Sequence, residues 1–246
     1  MKYAIFSDIH SNYEALQVCL KKMQELKVDG YAFCGDLIGY GPNPEECTKE
    51  LMKLNNFVAV MGNHDICLLN KDFSRWFSEF ASKAMVFTLK NLSSKSKKFI
   101  SKFLTEYRGQ DFSMVHGSFS DPYRDYLLTP EQFILNLPKW QGNICFVGHS
   151  HVPFIMSYRE GHIPQIDVFY GRDVNIRLMP GVRYMINPGS VGQPRDANNM
   201  ASFGIFDTEK YTFRLLRLPY DIKAVQQKIE TLKLPQILSD RLPKGI

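Results

Sequence analysis

Over the first 150 residues, five short apolar runs alternate with amphipathic stretches, and each run gives way to glycine, serine or histidine. The runs are residues 3–6, 31–34, 57–61, 112–115 and 144–147, the length of buried strands. Between them, residues 12–26 carry Leu16, Leu20 and Met23 at helical spacing, and residues 44–54 open with a proline suited to a first helical turn. Such strand–helix alternation predicts an α/β fold built on a largely parallel sheet with helices on its faces.

Residues 72–108 break the rhythm with helical patterning throughout and are expected to form an inserted helical hairpin over one rim of a site. After Pro153 the texture changes to short alternating strands at 154–158, 166–169, 183–186, 202–207 and 211–217. A final helix is expected at 221–232, followed by an irregular, proline-punctuated tail. No repeat, low-complexity segment or linker divides the chain, so residues 1–246 are expected to form a single domain. Composition, with 44% hydrophobic and 22% charged residues, excludes disordered, collagen-like and coiled-coil classes. No apolar run approaches the roughly 20 residues of a membrane span, and the acid at position 8 arrives too early for a signal peptide. Five cysteines, Cys19, Cys34, Cys47, Cys67 and Cys145, form no CxxC pair, which points to reduced thiols and a cytoplasmic location. The net charge of +5 is a mild basic excess. Its densest run, from Lys90 to Lys102, reads as the wet face of a helix, so nucleic acid is expected only as substrate, with no membrane partner.

Five of the six histidines, His10, His64, His116, His149 and His151, fall directly after an apolar run. The remaining run, 31–34, leads into Gly35-Asp36. In an open α/β sheet the crevice at the carboxyl ends of the strands is where ligands bind. Asp8, His10, Asp36, Asn63, His64, His116, His149 and His151 are therefore expected to converge on one edge. Any one of them could be an ordinary loop residue or cap, which is the reading for His162. Eight N/O donors at five strand ends are different, because buried polar groups must be hydrogen-bonded or bound to something. Carboxylate, imidazole and amide donors without thiolate suit Mn, Fe, Zn, Ni or Mg, and seven ligands suit two ions bridged by a shared carboxylate. Two divalent cations, Mn favoured, would attract a phosphate group and clamp an in-line phosphoryl displacement.

The ordered set Asp8-Ile9-His10, Gly35-Asp36, Gly62-Asn63-His64-Asp65, His116-Gly117 and Gly148-His149-Ser150-His151 resembles the calcineurin-like metallophosphoesterases. The segment NPGSVGQPRD at 187–196 is similar to their small bacterial and archaeal phosphodiesterase branch. The resemblance implies one metal held by Asp8, His10, Asp36 and His151. It implies a second held by Asp36, Asn63, His116 and His149, with Asp36 bridging. His64 would then protonate the leaving oxygen or stabilise phosphoryl charge, oriented by Asp65. The implied fold is a two-sheet β-sandwich flanked by helices, with the later strands forming a second sheet packed on the first.

The protein phosphatase branch continues its second motif as GDxVDRG, whereas this chain reads GDLIGYG, with Gly39 and Tyr40 replacing the phosphate-gripping Asp-Arg. Arg195 is the substitute anchor, since guanidinium forks match phosphate oxygens, with an ion pair to Asp196 as its structural alternative. Asn12 and Tyr40 are further candidate substrate contacts, Asn12 also reading as a helix cap, and Tyr123 and Arg124 lie in loops that could line the pocket. The expected activity is phosphodiester or nucleotide-type hydrolysis of a small-molecule ester by direct attack of metal-bound hydroxide. The alternatives are a phosphomonoesterase or protein phosphatase and a non-catalytic interaction scaffold.

Overall fold

The computed structural model describes residues 1–171 and 173–246, apart from the side chains of Lys71 and Phe73. Its strands are β1 (Lys2–Phe6), β2 (Gly30–Phe33), β3 (Phe57–Ala59), β4 (Glu106–Arg108), β5 (Ser113–Val115), β6 (Ile144–Phe146), β7 (Phe154–Tyr158), β8 (Gln165–Val168), β9 (Val174–Arg177), β10 (Arg183–Asn187), β11 (Ala201–Asp207) and β12 (Thr212–Leu218). The α-helices are α1 (Tyr13–Glu25), α2 (Pro44–Leu51), α3 (Glu79–Asn91), α4 (Ser94–Ile100), α5 (Pro130–Asn136), α6 (Ile222–Thr231) and α7 (Ile237–Asp240).

Two six-stranded sheets form, in the orders β3-β2-β1-β11-β12-β9 and β4-β5-β6-β10-β7-β8. Each contains a parallel trio, β1-β2-β3 in one and β5-β6-β10 in the other, extended by antiparallel neighbours. The expected two-sheet sandwich is therefore present, but its division differs from the expectation. The late strands β11, β12 and β9 complete the first sheet, and the early strands β5 and β6 sit in the second. The first 150 residues thus do not make one parallel sheet.

Burial explains the continuous apolar runs. In β1, Ile5 faces the layer between the sheets while Ala4 and Phe6 face α1; in β6, Ile144 and Phe146 face that same layer while Cys145 and Val147 face the side of α5. A strand covered on both faces shows no polar alternation. All five cysteines are free and buried.

The segment 72–108 is helical in its middle, where α3 and α4 start at Ser78 and Ser93, whose hydroxyls accept from Ala81 and Ser96 N–H. It ends differently from the expectation, as strand β4, which pairs antiparallel with β5. The tail expected to be irregular holds α7 and a 3-10 turn, Leu242–Lys244, whose Leu238 and Leu242 pack with Val225 and Ile229 of α6. No helix of the described residues is long and apolar enough to cross a membrane. The lysines of the 90–102 run are exposed or half-buried, and His162 sits exposed in a turn.

Candidate metal centre

The carboxyl ends of β1, β2 and β3 in one sheet and of β5 and β6 in the other open onto the same cleft. The loops after β1, β2 and β6 leave their strands through backbone turns that side chains usually avoid: φ is +54° at Asp8, +45° at His10, +60° at Asp36, +66° at His149 and +59° at His151. Left-handed conformations cost non-glycine residues about 1–3 kcal/mol each and persist only where surroundings over-determine them. Here the loops are sewn together. Asp8 N–H donates to Gly35 O (2.9 Å), His10 N–H to Asp36 O (3.0 Å) and Gly148 N–H to His116 O (2.8 Å). Gly62 is held against the Asp36 backbone and carboxylate so tightly that a Cβ there would collide with both.

Two clusters of donor atoms result. Asp8, His10, Asp36 and His151 form one, and Asp36, His116 and His149 the other, with the ligand atoms of each within 4.8 Å of one another. Asp36 belongs to both. His10 Nε2 lies 3.5 Å from Asp36 Oδ2, which is 3.4 Å from His116 Nε2 on its other side. His151 Nε2 is 3.3 Å from Asp8 Oδ1, and Asn63 Oδ1 is 3.2 Å from His116 Nε2, which adds the amide to the second cluster. Every one of these histidines and acids is buried.

The outer ring nitrogens are spoken for. Nδ1 of His10 faces Ile38 O at 3.1 Å, Nδ1 of His116 faces Cys34 O at 2.7 Å, and Nδ1 of His151 faces Gln193 O. A proton held there leaves the Nε2 lone pair pointing inward, the arrangement that orients metal-binding imidazoles. Burial lowers His10 and His151 well below the ordinary imidazole range and His149 to about 3, so these rings are neutral at neutral pH. Burial also pushes Asp8 up to about 7, against the pull of His116. For Asp36 burial is outweighed by His116, His64 and His10 around it, which hold its carboxyl well below the usual range. His116 goes the other way, to about 9, because the Asp36 carboxylate overcomes its burial.

His64 sits beside the clusters, its backbone N–H donating to Asp36 Oδ1 at 2.8 Å. Its imidazole is stacked by Phe77 at 4.4 Å between centroids, with Tyr40 and His10 at 4.6 and 4.8 Å. Asp65 does not orient that ring as expected. Its carboxylate accepts four backbone N–H groups, from Asp36 (2.9 Å), Leu37 (3.0 Å), Ile38 (3.3 Å) and Gly62 (3.1 Å), and so ties the β3 loop to the β2 loop. Asn12 is likewise engaged in structure: its Oδ1 accepts from Ala15 N–H at the start of α1 and its Nδ2 donates to Gly192 O. The structure thus places Asn12 in the helix-cap role that the sequence also offered.

Arg195 is not engaged by its neighbour Asp196. Its alternative partner, Asp196, is taken by Arg217 in a buried ion pair, while Arg195 donates to Gln193 Oε1 at 2.8 Å and lies 5.9 Å from the Tyr40 ring. Two features escaped sequence reasoning. Asn187 Nδ2 and Ser190 Oγ donate to the Gly148 and Asp8 carbonyls, so the 187–196 segment buttresses the loops that carry the donor clusters. Phe77 and Tyr126 stack on His64 and His149, the latter pair 4.0 Å apart. Their only signal in the sequence was aromatic residues in otherwise polar loops.

Residues 1–211 match the profile of the calcineurin-like phosphoesterase superfamily domain. An uncharacterized protein of Methanocaldococcus jannaschii is 35% identical over 98% of this chain and 97% of its own length. The crystal structure of a metallophosphoesterase from Sphaerobacter thermophilus superimposes with a TM-score of 0.85 at 30% identity, covering 100% of this chain and 99% of that one. A shorter match, 38% over 66 residues and 26% of this chain, is to a symmetrical bis(5'-nucleosyl)-tetraphosphatase of Coxiella burnetii, 23% of whose length it covers. The chain belongs to the calcineurin-like phosphoesterase superfamily.

Proposed function

We propose that the chain is a dinuclear-metal phosphodiesterase acting on small phosphodiester or nucleotide-type substrates, with residues 1–246 working as one domain. The observation that carries this reading is the shared carboxylate: Asp36 stands between two buried donor clusters whose remaining ligands are imidazole, carboxylate and amide. The donor set fits divalent cations. Both carboxylate oxygens of Asp8 and Nε2 of His149 are buried without a hydrogen-bond partner. Nε2 of His10 and of His151 face each other at 3.1 Å while their Nδ1 atoms are committed to carbonyls. Lone pairs brought together in this way are satisfied by a cation.

One ion would be held by Asp8, His10, Asp36 and His151, the other by Asp36, Asn63, His116 and His149, and Mn²⁺ is the ion to test first. The chemistry supplied there is Lewis-acid polarisation of the ester and activation of a water for in-line attack. The chain's residues do the rest. His64, lining the cavity beside the clusters, presents an N–H to the leaving or phosphoryl oxygen. Arg195 offers a guanidinium to the phosphate oxygens. No thiol is poised for covalent catalysis in this cluster, since burial pushes Cys67 up to about 12 and its Sγ donates to Asn63 O. The test is a paired assay on metal-stripped protein given Mn²⁺, with bis-p-nitrophenyl phosphate beside p-nitrophenyl phosphate. The diester should be turned over faster. A preference for the monoester would make the protein a phosphatase, and no turnover of either with Mn, Fe, Zn, Ni or Mg would overturn the enzyme reading.

A further inference from the structure

Beside His64, Asn63 and His149 a cavity of about 310 Å³ opens to the surface, walled by Tyr40, Trp76, Phe77, Tyr123, Arg124 and Tyr126. That volume falls at the small end of small-molecule sites, roughly 300–1,000 Å³. The faces of Phe77 and Tyr126 are already applied to His64 and His149. Trp76 differs: 72% of its surface is exposed, although the chain's only other tryptophan, Trp140, is 3% exposed. The Arg124 guanidinium lies 4.8 Å from the Trp76 ring centroid. A large apolar ring left in water beside a catalytic cleft marks a surface that a ligand covers. Among the described residues no side chain lining the cavity is acidic, and Arg124 adds a positive charge, which suits an anionic ligand.

We propose that Trp76, backed by Arg124, is the stacking platform for the nucleobase of the substrate, which makes nucleoside phosphoesters the class this site selects. The inference rests on the phosphoesterase reading, because it seats the reacting phosphate at Asp36 and the base in the cavity next to it. Flat π-faces and guanidinium planes are what bases stack on, whatever their hydrogen-bonding edge, so the platform selects a nucleoside without specifying which. An aliphatic ester would fill the same volume without that stack.

Two measurements test it, and only one requires turnover. In the first, Mn²⁺-loaded enzyme is given the p-nitrophenyl ester of thymidine 5'-monophosphate and ethyl p-nitrophenyl phosphate, which share a leaving group. The nucleoside ester should have the higher kcat/KM. Trp76→Ala should cut its advantage over the ethyl ester about tenfold, the size of one base–aromatic stack, through KM, and Trp76→Phe should restore it. In the second, tryptophan emission is followed during titration with adenosine 5'-monophosphate or ribose 5-phosphate. The nucleotide should quench saturably and the sugar phosphate should not, and the quench should vanish in Trp76→Phe, which keeps only the buried Trp140. Equal kcat/KM for the two esters, an advantage unchanged in Trp76→Ala, or a quench that survives in Trp76→Phe overturns the proposal while leaving hydrolysis intact. Absence of hydrolysis overturns the enzyme reading instead, and the quench still decides whether the cavity takes a base.

Discussion

Replacing Asp65 by asparagine separates two roles that one buried acid could have. In the structure both carboxylate oxygens are used by backbone: Oδ1 accepts from Leu37 and Ile38, and Oδ2 from Asp36 and Gly62. Asparagine keeps the shape and one acceptor but places an NH₂ donor opposite two N–H donors. Two buried N–H groups then lose their acceptor, at about 1–3 kcal/mol each, so the substitution should cost about 4 kcal/mol. In a chain of 246 residues each kcal/mol moves Tm by about 2–4 °C, which predicts a fall of about 8–16 °C. The assay is thermal unfolding of metal-stripped protein, so that metal binding does not mask the change. Activity should also fall, because the loop that carries Asp36 is loosened. A Tm within about 3 °C of wild type, beside a large loss of kcat, would refute the reasoning and return Asp65 to a role acting through His64.

Two other outcomes follow from the same geometry. His64→Ala should lower kcat by about 10²–10⁴, the range for a lost proton donor or charge stabiliser, with two metal equivalents still bound by elemental analysis; loss of metal would show that His64 helps hold the ions. Asp196→Ala should lower stability by about 3–5 kcal/mol in urea unfolding, since it strands the Arg217 guanidinium, which is 7% exposed; a change under about 1 kcal/mol would mean that Arg217 finds water or another partner.

The clustered donor residues were legible because chemistry restricts groups that could hold a metal to few residue types. Histidine is rare in this chain, and its placement after apolar runs marked Asp8, His10, His116, His149 and His151 before any coordinates. Sheet membership was not legible. β1, β2, β5 and β6 are covered on both faces, and an apolar run of this kind carries no sign of which strand lies beside it. β9, with two inward residues in Val174 and Ile176, was too weak a pattern to mark as a strand. The role of Asp65 was hidden, and that of Asn12 left open between cap and ligand contact, for a related reason: an acid or amide after a strand looks the same whether it serves a ligand or the backbone. Here backbone groups distant in sequence engage both: the N–H groups of Asp36, Leu37 and Ile38 donate to Asp65, and Asn12 Nδ2 donates to Gly192 O.

By itself the sequence determined the family and the donor set of this site, because groups that could hold a cation are drawn from few residue types, here histidine, aspartate and asparagine, and those residues carry their identity wherever the chain puts them. Tertiary structure decided the rest. It sent β11 and β12 back to β1, crossed the early strands into two sheets, and set Trp76 and Arg124 from separate segments against one cavity. Those outcomes depend on which surfaces exclude water together, a property of the packed chain that no stretch of its residues holds alone.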